Sequence, residues 1–135
     1  MTIPHYMACV LGLIFIIGET SRRGFAYFSV NITTMVEDYS AGIFLLTAAL
    51  WWSKKYAKAS TLMAAAWGYS AGGMLVPFFA HLEAYVRGAT FRPDHPHEDL
   101  HAVIAKGIIW GICLACLVIT LRNGDVGRQR TDIAA

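Results

Sequence analysis

Charge is what this chain has least of. Eleven Lys and Arg and nine Asp and Glu make up 15% of its 135 residues, where soluble domains carry about a quarter. With 56% apolar residues beside so little charge, an ordinary soluble domain is excluded. The net charge of +2 is too small to argue for nucleic acid as a partner. Cysteine is scarce too. Cys9, Cys113 and Cys116 all lie inside apolar stretches, so they are expected to be buried thiols and not a disulfide framework. A cleavage site is also missing. No Lys or Arg precedes the first apolar run, and Gly18-Glu19-Thr20-Ser21-Arg22-Arg23 contains no small-x-small pattern, so that run is expected to stay in the mature chain.

What is present in quantity is apolar sequence, in stretches of the roughly 20 residues that cross a hydrocarbon core of about 30 Å. The patterning predicts a single all-α domain, a polytopic membrane protein of four transmembrane helices arranged up-down. The helices are expected over about 3–18, 34–53, 59–83 and 99–121, with a loop over 84–98 and a short tail over 122–135. Phe25–Thr33 reads as an interfacial or re-entrant lead-in to the second helix. Trp51-Trp52 followed by Lys54-Lys55 is an aromatic belt backed by basic anchors, which marks an exit to the headgroup level. Pro77 is expected to kink the third helix and to free the carbonyl of Gly73. Ala64, Gly68 and Gly72, with Gly107, Gly111 and Ala115, form small-residue rows that predict close packing of the third helix on the fourth.

Lys and Arg outside the helices set the orientation. Lys54, Lys55, Lys58, Arg122, Arg128 and Arg130 on one side outnumber Arg22, Arg23, Arg87 and Arg92 on the other, which favours both termini in the cytoplasm. The expected location is a bacterial inner membrane, crossed several times. This topology sorts a second set of residues that did not enter its construction. Seven of the nine acidic residues (Glu19, Glu37, Asp38, Glu83, Asp94, Glu98 and Asp99) and four of the five histidines (His81, His95, His97 and His101) fall on the outer, periplasmic side.

Asp94, His95, His97, Glu98, Asp99 and His101 place six metal-capable side chains within eight residues. His97 and His101 are spaced i,i+4 and Glu98 and His101 i,i+3, so each pair shares a helix face. A borderline metal takes imidazole and carboxylate ligands, commonly three or four. The expected ligands are His81, His97 and His101 with one carboxylate, Glu83 or Glu98, and zinc ranks ahead of iron or copper. Glu19, Glu37, Asp38 and His95 would orient the imidazoles. Lys106, about 7–8 Å below His101 by helical rise, must snorkel or pair with a carboxylate such as Glu37 or Asp38. A haem between His81 and His101 ranks well below a simple ion.

His97-Glu98-Asp99-Leu100-His101 also resembles the H-E-x-x-H signature of zincin metalloproteases, which would make His97 and His101 ligands and Glu98 the general base. The charged Asp99 departs from that motif, and the chain has little mass outside the membrane to form a substrate cleft. Cys113-Leu114-Ala115-Cys116 is similar to the C-x-x-C of four-helix membrane oxidoreductases that work beside a quinone. Here it lies about 18 Å below His101, without a second cysteine pair in the loops. Two function classes follow. One is metal-dependent chemistry or metal and cofactor handling at the outer face, with Glu98 or Glu83 as base. The other is a non-catalytic subunit that stabilises a larger membrane complex, or a homo-oligomer, through Gly/Ala helix faces.

Overall fold

The computed structural model describes residues 2–88 and 100–133, with side chains for all of these except Arg22 and residues 124–133. It is all-helical, with no strand among the described residues. The first rod combines α1 (Ile3–Leu13), a π-helical turn (Ile14–Gly18) and α2 (Glu19–Arg23). Backbone angles stay right-handed through Leu13, Gly18 and Glu19, so the rod continues past Gly18, where the sequence suggested an end. The extension is held by an ion pair between Glu19 and Arg23, one turn apart. It stops at Gly24, whose φ of +72° is a conformation that only glycine adopts without strain.

A 3-10 turn (Phe25–Ser29) leads into α3 (Ile32–Ser53). Asn31 caps α3 by accepting a hydrogen bond from the Thr34 backbone N–H at 3.1 Å, which satisfies one of the orphan donors of the first turn. Phe25, Val30 and Ile32 are 62–74% exposed. A tight turn through Lys54–Lys58 connects α3 to α4 (Ala59–Arg87), and α5 runs over Leu100–Ile133. α5 does not stop at Arg122. Gly124 costs a helix only about 1 kcal/mol, and Gln and Arg beyond it are helix formers.

Three helical stretches are long and apolar enough to cross a membrane: Ile3–Ser21, Ala59–Arg87 and Leu100–Asn123. α3, expected to be a fourth, is not among them. Its 22 residues would reach about 33 Å, but Thr33, Thr34, Glu37, Asp38 and Ser40 lower its hydropathy.

Consecutive rods run antiparallel. At one end His5 Nε2 lies 2.7 Å from Ser53 Oγ. Because the Ser53 hydroxyl donates to the Ala49 carbonyl, its oxygen accepts from the His5 Nε2–H. Towards the other end the Tyr39 hydroxyl donates to Thr20 Oγ1, which itself donates to the Ile16 carbonyl. Likewise the Tyr69 hydroxyl donates to Ser40 Oγ, tying α4 to α3.

α1 and α3 approach closely through a pair of glycines. A Cβ on Gly42 would stand 2.7 Å from Ile16 Cγ1 and 2.8 Å from the Gly12 carbonyl oxygen, and one on Gly12 would meet Leu46 and the Gly42 carbonyl. The two expected small-residue rows behave differently. Gly68, Gly72 and Gly111 have nothing within 4 Å of where a Cβ would stand. α4 and α5 do pack extensively, through Phe78 stacked on Trp110, with Phe79 against its edge and Phe78 seated on Gly107.

The dry core fills the half of the molecule nearer His5. Ala8, Leu11, Leu45, Ala48, Met63, Ala66, Trp67, Cys113 and Cys116 are buried together there. Cys113 and Cys116 are free, buried thiols, and Cys9 is partly buried against the same cluster.

Candidate functional site

The other half is not filled. A pocket of about 480 Å³ opens there, lined by residues from all four rods. Its volume lies inside the roughly 300–1,000 Å³ range of small-molecule sites. Glu19 and Arg23 come from α2, Thr34, Glu37 and Asp38 from α3, Met74, Pro77 and His81 from α4, and Ala102, Lys106 and Ile109 from α5. Six ionisable side chains therefore face one space, three carboxylates, two cations and an imidazole, with apolar side chains between them.

Local structure explains how each gets there. The π-helical turn widens the first rod just before Glu19, and Ile14, Phe15 and Gly18 of that turn line the pocket. Such turns occur mostly as single-turn bulges inside α-helices and are frequent at functional sites. Pro77, inside α4, cannot donate to the Gly73 carbonyl and so loosens the opposite wall. The Glu37 side chain lies along this weakened turn, with Oε1 3.1 Å from where a Cβ on Gly73 would stand. Glycine at position 73 is what lets that carboxylate approach the α4 backbone.

Arg23 is held from two sides. Its Nε pairs with Glu19 Oε2 at 2.6 Å, its guanidinium stacks 4.8 Å from the Tyr27 ring centre, and both ion-pair partners are largely covered. Its Nη1 is buried without a hydrogen-bond partner. An orphaned donor on a buried guanidinium is a position where an acceptor would be strongly favoured. In the sequence Arg23 reads only as an orientation charge. The signal that could have found it is its i,i+4 spacing from Glu19, which puts both on one helix face.

The residues expected from sequence divide into three groups. Glu19, Glu37, Asp38, His81 and Lys106 are brought to the one pocket. Glu83 and His101 are exposed and do not line it. Glu83 pairs outward with Arg87 at 2.8 Å. His95, His97 and Glu98, with Asp94 and Asp99, lie outside the described residues. Among the described residues, no three His, Cys, Asp or Glu side chains form a group able to hold a metal ion. No family model, curated protein or solved structure matches the chain.

Proposed function

We propose that the chain is a four-span, up-down integral membrane protein that binds a small molecule carrying both signs of charge in its intramembrane pocket. The observation that supports this most is the convergence of Glu19, Arg23, Glu37, Asp38, His81 and Lys106 on one partly apolar space. Ionisable residues within membrane spans are rare because they cost free energy, and they mark binding sites and ion pathways. In this reading α3 is the fourth span, tolerated despite its polar first turns because those turns face the pocket. Both termini are cytoplasmic, by the excess of Lys and Arg at the opposite end, and the pocket sits towards the periplasmic face of a bacterial inner membrane.

The test uses Ala80→Phe, which fills the pocket from a lining position without touching a charge. The full-length protein is purified in mild detergent and the small molecules it releases are identified by mass spectrometry. A compound released by the wild type and absent from Ala80→Phe supports the reading, and identical release from both overturns it.

Metal handling is a second reading, supported by His81 lying in the same pocket lining as three carboxylates. It would recruit His81, Glu83, His97, Glu98 and His101 to a zinc, iron or copper ion, with Glu98 as base. Equal metal content in the wild type and in the His97→Ala plus His101→Ala variant would remove it. The accessory-subunit reading draws on Gly68, Gly72 and Gly111, which face open space and could seat a partner helix. A homogeneous particle of single-chain mass in detergent would count against that.

A further inference from the structure

The pocket is not enclosed. Three of its apolar lining residues, Ile14, Val76 and Ala105, are exposed on the outside of the rods, so its wall continues into the surface that meets acyl chains. α1 packs against α5 along Ile3–Leu13, whereas neither the π-helical turn nor α2 has packing of that extent with α5. The seam between the first rod and α5 is thus looser at the pocket end than at the end holding the dry core.

Depth narrows the ligand further. α4 has 29 residues and so spans about 43 Å, the whole bilayer including its headgroup layers. His81 lies six residues inside Arg87, about 9 Å down, and Lys106 lies equally far inside Leu100. That depth is the boundary between headgroups and hydrocarbon. A polar cradle at this level, with apolar exits to the side, is placed to receive a lipid from its own leaflet.

The charges select the headgroup. Arg23 Nη1 is a buried donor with no acceptor, and a phosphate oxygen is the matching group. Glu37 and Asp38, adjacent on α3, offer carboxylates to an ammonium. The lining already holds three carboxylates against Arg23 and Lys106, so an anionic lipid would add a second uncompensated negative charge, while a zwitterion adds none. We infer that the pocket binds a membrane phospholipid with a primary-amine headgroup, entering sideways between the rods. Its ammonium rests on Glu37 and Asp38, its phosphate on Arg23 with Lys106 across the pocket, and its chains leave past Ile14, Val76 and Ala105. This rests on the ligand-binding reading above and names its ligand.

The experiment is native mass spectrometry of the full chain in detergent, titrated separately with phosphatidylethanolamine, phosphatidylglycerol and free phosphoethanolamine. One phosphatidylethanolamine should be retained about tenfold more tightly than phosphatidylglycerol, the scale of one charge-assisted hydrogen bond. Glu37→Gln should remove that preference, and Arg23→Gln, which acts on the phosphate that both lipids carry, should lower lipid retention. Arg23→Lys, which keeps the charge but loses the forked donors, should weaken it without unfolding the protein. Ala105→Trp, on the exposed rim, should block the lipid while leaving free phosphoethanolamine bound. Equal retention of the two lipids, or lipid retention unaffected by Ala105→Trp, overturns the inference. Binding of phosphoethanolamine with no lipid retained overturns it too, but leaves the pocket's ligand-binding role standing. If nothing is retained and Ala80→Phe releases the same compounds as the wild type, both fall.

Discussion

Gly42→Ala adds one methyl group to α3, and the structure says where it must go. The new Cβ would stand 2.7 Å from Ile16 Cγ1 and 2.8 Å from the Gly12 carbonyl oxygen, distances that real Cβ atoms do not tolerate. The first contact is near the base of a branched side chain and the second is backbone, so neither can swing aside, and α1 must move away from α3. Forcing a methyl into a packed contact costs about 1–3 kcal/mol. Loss of close Cα–H···O contacts between the two helices adds about 0.5–1 kcal/mol each. Against this, alanine favours a helix interior by up to about 1 kcal/mol over glycine. The net cost is about 2 kcal/mol, or about 6 °C in Tm for a chain of this size.

Gly68→Ala is the internal control. It makes the same chemical change on a helix where nothing lies within 4 Å of the new atom, so only the propensity gain remains and the variant should equal or exceed the wild type. Melting can be followed with a thiol-reactive maleimide dye, because Cys113 and Cys116 are buried and become reactive on unfolding. Cys9→Ser, used as the background in all variants, silences the partly exposed thiol. If Gly42→Ala melts with the wild type, or Gly68→Ala falls as far as Gly42→Ala, the assignment of the close contact to α1 and α3 is wrong.

Two further outcomes are expected in the same assay. Ser53→Ala removes the acceptor of the His5 Nε2–H, and His5 Nδ1 is already buried without a partner, so the imidazole loses its tie and stability should fall by about 1–2 kcal/mol; Ser53→Thr should keep most of it. Lys55 sits at φ +55°, a left-handed conformation costing a side-chain-bearing residue about 1–2 kcal/mol, so Lys55→Gly should raise the melting temperature, and a fall would mean that the Lys55 side chain holds the turn.

The long apolar runs were legible because burial in lipid demands them, the common end of Glu19, Glu37, Asp38 and His81 followed from alternation of the runs, and Lys106 was placed near Glu37 and Asp38 by helical rise and the need of a buried cation for a partner. Three features were harder to read. In the small-residue rows of α4 and α5 only Gly107 meets the facing helix, through Phe78, while Gly68, Gly72 and Gly111 face open space; the tight α1–α3 contact uses one glycine on each of two helices, a pattern with no period to detect. The π-helical turn at Ile14–Gly18 has no local signature; the Thr20 hydroxyl that donates to the Ile16 carbonyl becomes meaningful only once the turn is seen. The polar site within the described residues was less legible, because the histidine-rich loop drew attention to the rim and Arg23 read only as an orientation charge.

The shared pocket bears on what the charges are for. Each one alone has an ordinary explanation. Lys106 could snorkel, Glu19 could neutralise Arg23, and Glu37 with Asp38 could sit near a helix N-terminus, where negative charge is mildly favoured. Snorkelling, however, sends a long side chain out to the headgroups along its own helix, and it predicts charges on lipid-facing surfaces. Here six ionisable groups from four rods line the same inward space. At mid-bilayer a charged residue costs about 2.5–3.5 kcal/mol on insertion scales, and even reduced towards the interface that is a large sum for a small chain to carry without return. A fold under selection for stability alone would close this space with leucine, as the opposite half is closed by Leu45, Met63 and Trp67. The π-helical turn and Pro77, which leaves one helical carbonyl without its donor, also border this space. Local backbone irregularity and clustered charge at the same place, beside an apolar core, are what a binding site requires and what packing by itself would remove.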